Sequence, residues 1–427
     1  RLEGWDGCSG YHYSDSIIYG FSHTHLSGTG VSDYGDLLLM PSQGEIYFDN
    51  GYKSNSTKSY RSAFRKETER ATPGFYQVTL DKHDIDVELV AGKRVGFHKY
   101  NFSKAGEAHV MLDLAHRDEV LNDTLIFLED GKVEGKRISK AWATEQHFYF
   151  SMQFSKPYKR LELDSTSKKA AFVFEVEEDE NIGVKVGISA VSIEGARNNL
   201  EIELSDFAKL KTNAEEAWTK ALSKIEIESD DKDKKTIFYS ALYHTMIAPN
   251  LFSDADGKYR GMDLQVHESE HEVYTVFSLW DTFRATHPLY TIIEQDKTKD
   301  FLNTFMKQYD DGGILPIWEL SANYTGCMIG YHGVSVLADA HAKGIQGIDW
   351  NKALTAMKHS ANQTHLGLEA YRTKGFMEVQ DEPESVSKVL EYAYDDWCIA
   401  QLAKNLSDTS TYQEFIQRAQ YYKNMFN

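Results

Sequence analysis

The feature that most constrains the fold is a change of hydrophobic period near residue 200. Up to about Ser192, short runs of alternating apolar and polar residues are separated by Gly, Asp and Asn, whereas after Leu204 apolar residues recur at helical spacing. The predicted strands include 94–102, 109–114, 141–154, 170–176 and 183–191. Many short strands without helical periodicity predict a β-sandwich, with Phe148, Tyr158 and Phe172 in the core between its sheets.

Beyond residue 204 the pattern predicts helices. The clearest covers 384–403, where one apolar stripe is formed by Val386, Val389, Leu390, Ala393, Trp397 and Ala400. The other predicted helices are 207–225, 234–247, 282–294 with a bend at Pro288, 298–309, 333–343, 350–361 and 411–425. Long helices joined by short loops predict a toroid of paired helices, and roughly eight helices leave a toroid of six pairs unfinished.

A chain of 427 residues exceeds the size at which one hydrophobic core usually stops growing, so two domains are expected. The predicted fold class is multidomain β + α. Its parts are an N-terminal β-sandwich over 1–200, a helical linker over 201–230 and the first part of a helical toroid over 231–427.

The charge balance excludes two classes of partner. The chain has 46 basic and 65 acidic residues and a net charge of -19, which disfavours nucleic acids and anionic membranes because both need basic surfaces. No apolar run has the length of a membrane span. Cys8, Cys327 and Cys398 are too few and too scattered for a zinc site or a disulfide framework, and three buried thiols are favoured over one disulfide with one free thiol. The oligomeric state is not set by these features.

Two segments suit a polyhydroxylated ligand. VFSLWDTFRATHP, residues 276–288, places Trp280, Asp281 and Arg284 within about one helical turn, and WELSANYTGCMIGYH, residues 318–332, contributes Glu319 and His332. An aromatic ring covers the apolar C–H faces of a sugar, and charged groups form the stronger hydrogen bonds to its hydroxyls. These segments therefore predict a sugar-binding site.

Each of these residues also has a structural interpretation. Asp281 is equally suited to cap the following helix, with Arg284 as its ion-pair partner in the first turn. Glu319 is either a ligand acceptor or the buried partner of an arginine. Asp395 and Asp396 are adjacent on one predicted helix, so at most one of them is expected to point inward.

Two further candidates lie near the N-terminus. His23 and His25 are two residues apart, so their rings would share one face of a strand and could ligate a metal, but histidines lining a cleft or core are favoured because no third ligand is visible. Trp5 and Asp6 lie on a Gly-rich loop, where a ligand contact is slightly favoured over a structural role. No pair of carboxylates is fixed by spacing at the separation that glycoside hydrolysis requires.

Four blocks resemble one family closely. GYHYSDSIIYGFSHTHLSGTGVSDYGD, SLWDTFRATHPL, LPIWELSANYTGCMIGYH and ESVSKVLEYAYDDWCIAQLAK occur in the order of the signature blocks of glycoside hydrolase family 92. The resemblance covers essentially the whole chain. It implies a calcium-dependent, inverting exo-α-mannosidase, built from an N-terminal β-sandwich, a helical linker and an (α/α)6 toroid. It also implies a periplasmic, cell-surface or secreted location.

The resemblance assigns substrate-binding residues by matching positions. Trp5 and Asp6 match the loop of the sandwich that contacts the terminal mannose. Trp280 and Asp281 match a Trp-Asp pair that packs on the sugar and accepts hydrogen bonds from its hydroxyls. The motif also matches at Arg284, Glu319, His23, His25 and His332, as sugar contacts or as residues that support them.

The same resemblance implies that some residues lie outside this sequence. The family's general acid, its base and a block near the calcium ion are expected beyond Asn427, so catalytic residues and calcium ligands are not assigned here. We therefore expect the 427-residue chain alone to lack hydrolytic activity. One alternative is a catalytically silent protein that binds mannose or a glycan. A second is an enzyme of the same architecture with different chemistry, such as a phosphorylase or a polysaccharide lyase. The linkage preference among mannose-containing glycans is not readable from the sequence.

Overall fold

The computed structural model describes residues 10–26, 30–203 and 205–426. The chain divides into two compact units, Arg1–Ile247 with Asp254–Lys258 and Ala248–Ser253 with Tyr259–Asn427. The first unit is rich in strands and the second is largely helical, which confirms the predicted fold class. The predicted division at residues 200 and 230 stays a prediction.

The first unit contains two large antiparallel sheets. In chain order its strands are β1 (Ile17–Ile18), β2 (Phe21–Ser22), β3 (Leu38–Gln43), β4 (Ser62–Ala63), β5 (Arg70–Thr72), β6 (Phe75–Leu80), β7 (Ile85–Ala91), β8 (Val95–Phe102), β9 (Gly106–Asp113), β10 (Glu119–Phe127), β11 (Val133–Lys140), β12 (Gln146–Phe154), β13 (Arg160–Leu163), β14 (Lys169–Val176) and β15 (Glu180–Ser189). One sheet has the order β10-β11-β12-β15-β8-β7-β6-β5 and the other β13-β14-β9-β3-β2, while β1 pairs with β4. A 3₁₀ helix covers Lys66–Thr68.

One apolar core joins the two large sheets. Phe150 on β12 and Met111 on β9 are both fully buried in it. The rings of Phe154 and Phe172, one from each sheet, have centroids 5.0 Å apart. Phe148 and Phe172 are buried as predicted, and Tyr158 packs against the same core. The two sheets therefore form a sandwich, because each contributes its apolar face to a shared interior.

Three helices follow the sandwich within the described part of the first unit: α1 (Ile193–Glu203), α2 (Phe207–Leu222) and α3 (Lys232–Thr245). Helix α1, which packs on β15 and β12, was not among the elements predicted from the sequence. A Cβ atom at Gly187 would lie only 2.6 Å from that of Leu200, so a glycine on β15 allows this close approach. Asp206 caps α2 by accepting a hydrogen bond from the amide of Lys209.

The remaining elements are mostly helical. They are β16 (Asn250–Leu251), β17 (Lys258–Arg260), β18 (Val266–Glu268), β19 (Tyr274–Thr275), β20 (Phe277–Ser278), α4 (Leu279–Thr282), α5 (Thr286–Ile293), α6 (Gln295–Gly312), β21 (Trp318–Leu320), β22 (Asn323–Tyr324), α7 (Gly333–Ala342), α8 (Trp350–Ala361), α9 (Leu368–Lys374), α10 (Ser385–Asn405), α11 (Thr409–Arg418) and a 3₁₀ helix, Tyr421–Met425. Helix α10 packs against α7, α8 and α11. Closure of these helices into an (α/α)6 toroid stays a prediction.

The predicted single apolar stripe of α10 is wrong. Val389, Ala393 and Ala400 are buried in the helical core, but Val386, Leu390 and Trp397 are 55%, 40% and 46% exposed. The buried side of the helix is completed by polar and small residues, because α10 has neighbours on more than one side. An apolar pattern alone could not show which of its apolar residues would meet those neighbours.

Two other predictions concern cysteines and membranes. Cys327 and Cys398 are free thiols, of which Cys398 is buried and Cys327 only partly so, and Cys8 lies outside the described residues. Over the described ranges, every helix is too short or too polar to cross a membrane.

Candidate active site

The segment after β20 carries the side chains predicted to bind a sugar. Leu279 and Phe283, four residues apart, are both buried in the helical core. Asp281 and Arg284 are exposed, and Trp280 is half-buried at the edge of the core. The apolar spacing thus anchors this turn and leaves an aromatic ring, a carboxylate and a guanidinium at its surface.

Glu391 on α10 brings two of these side chains together. Its Oε1 atom accepts a hydrogen bond from Nε1 of Trp280 at 3.3 Å and another from Nη2 of Arg284 at 3.0 Å. Asp281 accepts a hydrogen bond from the hydroxyl of Ser278, the residue before α4. The predicted capping role of Asp281 is wrong, because Asp281 lies within α4 and neither α4 nor the following helix α5 begins with a side-chain cap. The ion-pair partner of Arg284 is Glu391 rather than Asp281.

Sequence reasoning missed Glu391. Its partners lie 111 and 107 positions away along the chain, and no local pattern encodes contacts at that distance. The one available signal was its spacing from Asp395, since residues four apart project from the same side of a helix.

His332 links Glu391 to Asp395. Nδ1 of His332 lies 2.8 Å from Oδ1 of Asp395, and Nε2 lies 3.3 Å from Oε2 of Glu391, a distance within ion-pair range. The imidazole stacks on the ring of Phe283 with centroids 3.9 Å apart. The backbone amide of Tyr331 donates to the other oxygen of Asp395 at 2.7 Å. A residue of the WELSANYTGCMIGYH block is thereby fixed beside the WDTFR turn.

The charges of this cluster favour a protonated imidazole. Burial by itself lowers the pKa of His332, but Asp395 and Glu391 outweigh it and raise that pKa to about 9. Burial raises the pKa of Glu391, yet His332, Trp280 and Arg284 together hold it below the ordinary value. At neutral pH, Glu391 is therefore an anion that faces two cations.

Glu319 has a separate set of partners. It is buried on β21, and its carboxylate accepts hydrogen bonds from the hydroxyl of Thr275 at 2.8 Å and from the amides of Val276 and Ala322 at 3.1 and 2.7 Å. Burial raises the pKa of Glu319 to about 7 despite these donors. These partners are backbone amides and a hydroxyl rather than an arginine, so they hold the carboxylate beneath the surface and leave Glu319 a candidate support of the site.

The prediction that at most one of Asp395 and Asp396 points inward is wrong, since both are fully buried. Asp395 faces His332, whereas Asp396 accepts hydrogen bonds from the hydroxyls of Tyr331 and Tyr371 and from the guanidinium of Arg418; these bonds measure 2.8, 2.9 and 3.0 Å. Adjacent helical residues project about 100° apart, and α10 is packed on both of these sides. Asp396 therefore stabilises the helical core, and Asp395 supports the candidate site.

His23 belongs to a chain of hydrogen-bonded rings in the first unit. Its Nδ1 lies 2.8 Å from the carbonyl of Leu37, its Nε2 lies 2.9 Å from Nε2 of His98, and Nδ1 of His98 lies 2.8 Å from the hydroxyl of Tyr100. Burial lowers the pKa of His23 to about 4. Two neutral imidazoles satisfy this chain, because each then has one donor and one acceptor nitrogen. Both nitrogens of His23 are thus occupied by protein partners.

The other N-terminal candidates have different surroundings. His25 lies beside Gly10, where a Cβ atom would come within 2.1 Å of Nε2 of His25. Gly10 has a φ of +78°, so both its backbone and its contact with His25 favour glycine. Trp5 and Asp6 lie outside the described residues.

The donor set for a metal ion is incomplete in this part of the chain. Within residues 10–26, 30–203 and 205–426, no group of three or more His, Cys, Asp or Glu side chains is arranged to hold a metal ion. None of those side chains is therefore assigned as a calcium ligand.

The side chains of Trp280, Asp281 and Arg284 are chemically suited to bind a hydroxylated ring. Trp280 offers part of an aromatic face, Asp281 is an exposed acceptor, and Arg284 is an exposed donor. Glu391, itself held by His332, fixes the positions of Trp280 and Arg284. This arrangement suits a sugar better than an apolar ligand.

Two family models match the chain. That of the glycosyl hydrolase family 92 catalytic domain matches residues 195–427, and that of the family's N-terminal domain matches residues 1–189. Among curated proteins, an uncharacterised secreted glycosidase from Arthroderma benhamiae is 23% identical over 486 residues, covering 100% of this chain and 58% of that protein.

Solved structures are similar over the whole chain. A family GH92 α-mannosidase from Bacteroides thetaiotaomicron, also solved in complex with mannoimidazole, is 37% identical with a TM-score of 0.96, and the match covers 100% of this chain and 61% of that protein. A family GH92 inverting mannosidase from the same species is 30% identical with a TM-score of 0.90, covering 100% of this chain and 60% of that protein. The chain thus spans about three fifths of the length of these relatives.

Proposed function

This chain belongs to glycosyl hydrolase family 92, and on that premise we propose that its protein removes terminal α-linked mannose from glycans. Two solved relatives, 37% and 30% identical, are named as mannosidases. The observation that carries the proposal is the half-buried Trp280 beside the exposed Asp281 and Arg284, held by Glu391. A mannose ring has the hydroxyls and C–H faces that such groups bind.

Each of these residues has a distinct part in binding. The ring of Trp280 would pack on the C–H face of the terminal sugar, while Asp281 would accept hydrogen bonds from its hydroxyls. Arg284, whose guanidinium already pairs with Glu391, has further N–H groups that can donate to a sugar oxygen. Trp5, Asp6, His23, His25, His332 and Glu319 stay candidate contacts or supports.

We propose an inverting mechanism, supported by the name of the relative that is 30% identical. In such a mechanism a carboxylic acid protonates the glycosidic oxygen while a carboxylate activates water on the opposite face of the sugar, and the two groups stand about 6.5–9.5 Å apart. None of the described residues is assigned either role. The buried Asp395, Asp396 and Glu319 are occupied by protein donors.

Calcium dependence is proposed for the whole protein and rests only on the family resemblance. Among the described residues no three His, Cys, Asp or Glu side chains are arranged around a possible metal position, so none of them is assigned as a ligand. A calcium ion bound by oxygen ligands would polarise sugar hydroxyls. Loss of mannose release in EGTA, restored by calcium and not by magnesium, is the expected result in the whole protein.

The expectation that this chain alone is inactive has no support from the comparisons, because both family models match within it. The deciding assay measures mannose released from an α-linked dimannoside by the 427-residue chain and by the whole protein. Proton NMR of the first product formed identifies its anomer. Initial release of β-mannose supports inversion, and initial release of α-mannose contradicts it.

Calorimetry tests the sugar site itself. Mannoimidazole should bind the chain, and Trp280→Ala and Asp281→Asn should each weaken binding at least about tenfold, the loss expected for a buried stacking contact or a charged hydrogen bond. Absence of binding to the unaltered chain would contradict the proposed site. Binding without turnover by the whole protein would favour the silent glycan-binding alternative.

A periplasmic, cell-surface or secreted location is proposed as well. The relative from Arthroderma benhamiae is named as a secreted glycosidase. Fractionation of cells that express the whole gene should place the protein outside the cytoplasm, and a purely cytoplasmic distribution would contradict this.

A further inference from the structure

The side chain of Glu391 contacts Trp280, Arg284 and His332 together. Its side chain is 18% exposed and lies at the boundary between the core and the surface. Both oxygens are engaged, Oε1 by the indole and the guanidinium and Oε2 by the imidazole. A carboxylate with three partners, two on the WDTFR turn and one before α7, is held in one orientation.

From this geometry we propose that Glu391 is a positioning residue of the sugar site, holding the ring of Trp280 and the guanidinium of Arg284 in the orientation that receives the terminal sugar. This inference rests on the proposed function. It adds a residue that touches no sugar in the proposal but acts through two residues that do.

The physical basis is preorganisation. A half-buried tryptophan and a long exposed arginine each lose rotational freedom when a ligand orders them, and that loss weakens binding. The hydrogen bond to the Trp280 indole and the ion pair to Arg284 impose this order before the sugar arrives. The guanidinium of Arg284 is also 4.7 Å from the ring centroid of Phe283, which confines it further.

Residues behind Glu391 keep its carboxylate in place. His332 is stacked on Phe283 and hydrogen-bonded to Asp395, so the imidazole cannot turn away from Oε2 of Glu391 without losing both contacts. The carboxylate of Asp395 in turn accepts a hydrogen bond from the backbone amide of Tyr331. The line Asp395–His332–Glu391 thus connects the core of the helical unit to the two residues at its surface.

A purely structural ion pair makes a different prediction. Arg284 is 55% exposed, so its pair with Glu391 contributes little to stability in water. If Glu391 only tied α10 to the WDTFR turn, its removal would at most lower the melting temperature slightly and would leave the sugar affinity of the folded protein unchanged. If it positions Trp280 and Arg284, affinity falls while the fold persists.

The experiment compares mannoimidazole affinity by calorimetry with melting by circular dichroism. Glu391→Ala should weaken binding about tenfold, the effect of two side chains that must be ordered on binding. Glu391→Gln, which keeps an acceptor for the indole but not the charge for Arg284, should lie between Ala and the unaltered chain. Glu384→Gln is the matched control, because Glu384 precedes the same helix, is 68% exposed and pairs with Lys388 rather than with the site.

A double variant tests whether Glu391 acts through the indole of Trp280. Trp280→Phe keeps an aromatic ring but removes the indole donor, so Glu391→Ala should weaken binding less in that background than in the unaltered chain. Unchanged affinity in Glu391→Ala, with folded protein and with Trp280→Ala impaired, would overturn the inference alone. Failure of the whole protein to bind mannoimidazole would overturn the proposed function and this inference with it.

Discussion

Nδ1 of His332 lies 2.8 Å from Oδ1 of Asp395, which ties the residue before α7 to the middle of α10. Both side chains are buried, and Glu391 faces the other nitrogen of the imidazole. Burial opposes protonation, but the two carboxylates outweigh it and raise the pKa of His332 to about 9. The stability of the helical unit should therefore depend on the proton of this one histidine.

We expect His332→Gln to remove part of the pH dependence of unfolding. The folded pKa of about 9 exceeds the unfolded value of about 6.5, so the stabilisation is fully present below pH 6.5 and is lost as pH rises through 9. At about pH 6 the variant should be less stable by about 3 kcal/mol. Urea unfolding from about pH 6 to 10 measures this, and a difference that stays constant over that range would contradict it.

Asp396→Asn should destabilise the helical unit strongly. The substitution removes the buried charged partner of the Arg418 guanidinium and leaves only the exposed Glu414, 3.6 Å away. Removal of one member of a buried pair costs about 3–5 kcal/mol. The matched control is Asp310→Asn, because Asp310 pairs with Lys352 at the surface and should change stability by less than about 1 kcal/mol. Urea unfolding of both variants is the measurement. Equal effects would show that Arg418 finds compensation elsewhere.

The buried aspartates also show where sequence reasoning reached its limit. Strand and helix periods located the sandwich and most helices, because apolar spacing is a local property that each element expresses by itself. Whether Asp396 points inward depends on Tyr331, Tyr371 and Arg418, which lie 65, 25 and 22 positions away. Such partners are created by tertiary packing and leave no local periodicity to read.

The residues of the candidate site likewise fall into those that the sequence could identify and those that it could not. Trp280, Asp281 and Arg284 were recognisable because they lie close together along the chain and combine three chemistries suited to a sugar. Glu391 was not, because a glutamate on an amphipathic helix is ordinarily solvated, and only its tertiary contacts with Trp280, Arg284 and His332 distinguish it. The α10 stripe failed for a related reason, since Trp397 is apolar yet exposed.

Glu319→Gln should remove part of the pH dependence of the free energy of unfolding. Burial raises the pKa of Glu319 to about 7, above its ordinary value of 4.5, so its contribution is fully present below pH 4.5 and is lost as pH rises through 7. Glutamine cannot ionise. Relative to the unaltered chain, the variant should therefore gain about 3 kcal/mol of stability between about pH 4.5 and 8, on top of a constant offset from its altered hydrogen bonds. Urea unfolding at several pH values tests the slope, and parallel curves would contradict it.

Arg137 should be coupled to Asp36 in the sandwich. Arg137 is fully buried on β11, with Nη1 2.6 Å from Oδ1 of Asp36 and Nε donating to the carbonyl of Leu114 at 2.7 Å. Arg137→Met leaves a buried carboxylate unpaired and should cost about 3–5 kcal/mol. Asp36→Asn should cost a similar amount, because the buried guanidinium then keeps only the more distant Asp118, at 3.8 Å, as a charged partner.

The double variant Arg137→Met/Asp36→Asn distinguishes coupling from two independent losses. Once both charges are gone, neither partner is left buried and unpaired, so the combined loss should be smaller than the sum of the single losses by at least about 1 kcal/mol. Gln146 also donates to Asp36 and would still find an acceptor in the amide oxygen of the substituted side chain, which limits the damage at that position. Thermal unfolding of the unaltered chain, the two single variants and the double variant completes the cycle. Strict additivity would mean that each residue acts through its other contacts and that the ion pair itself contributes nothing measurable.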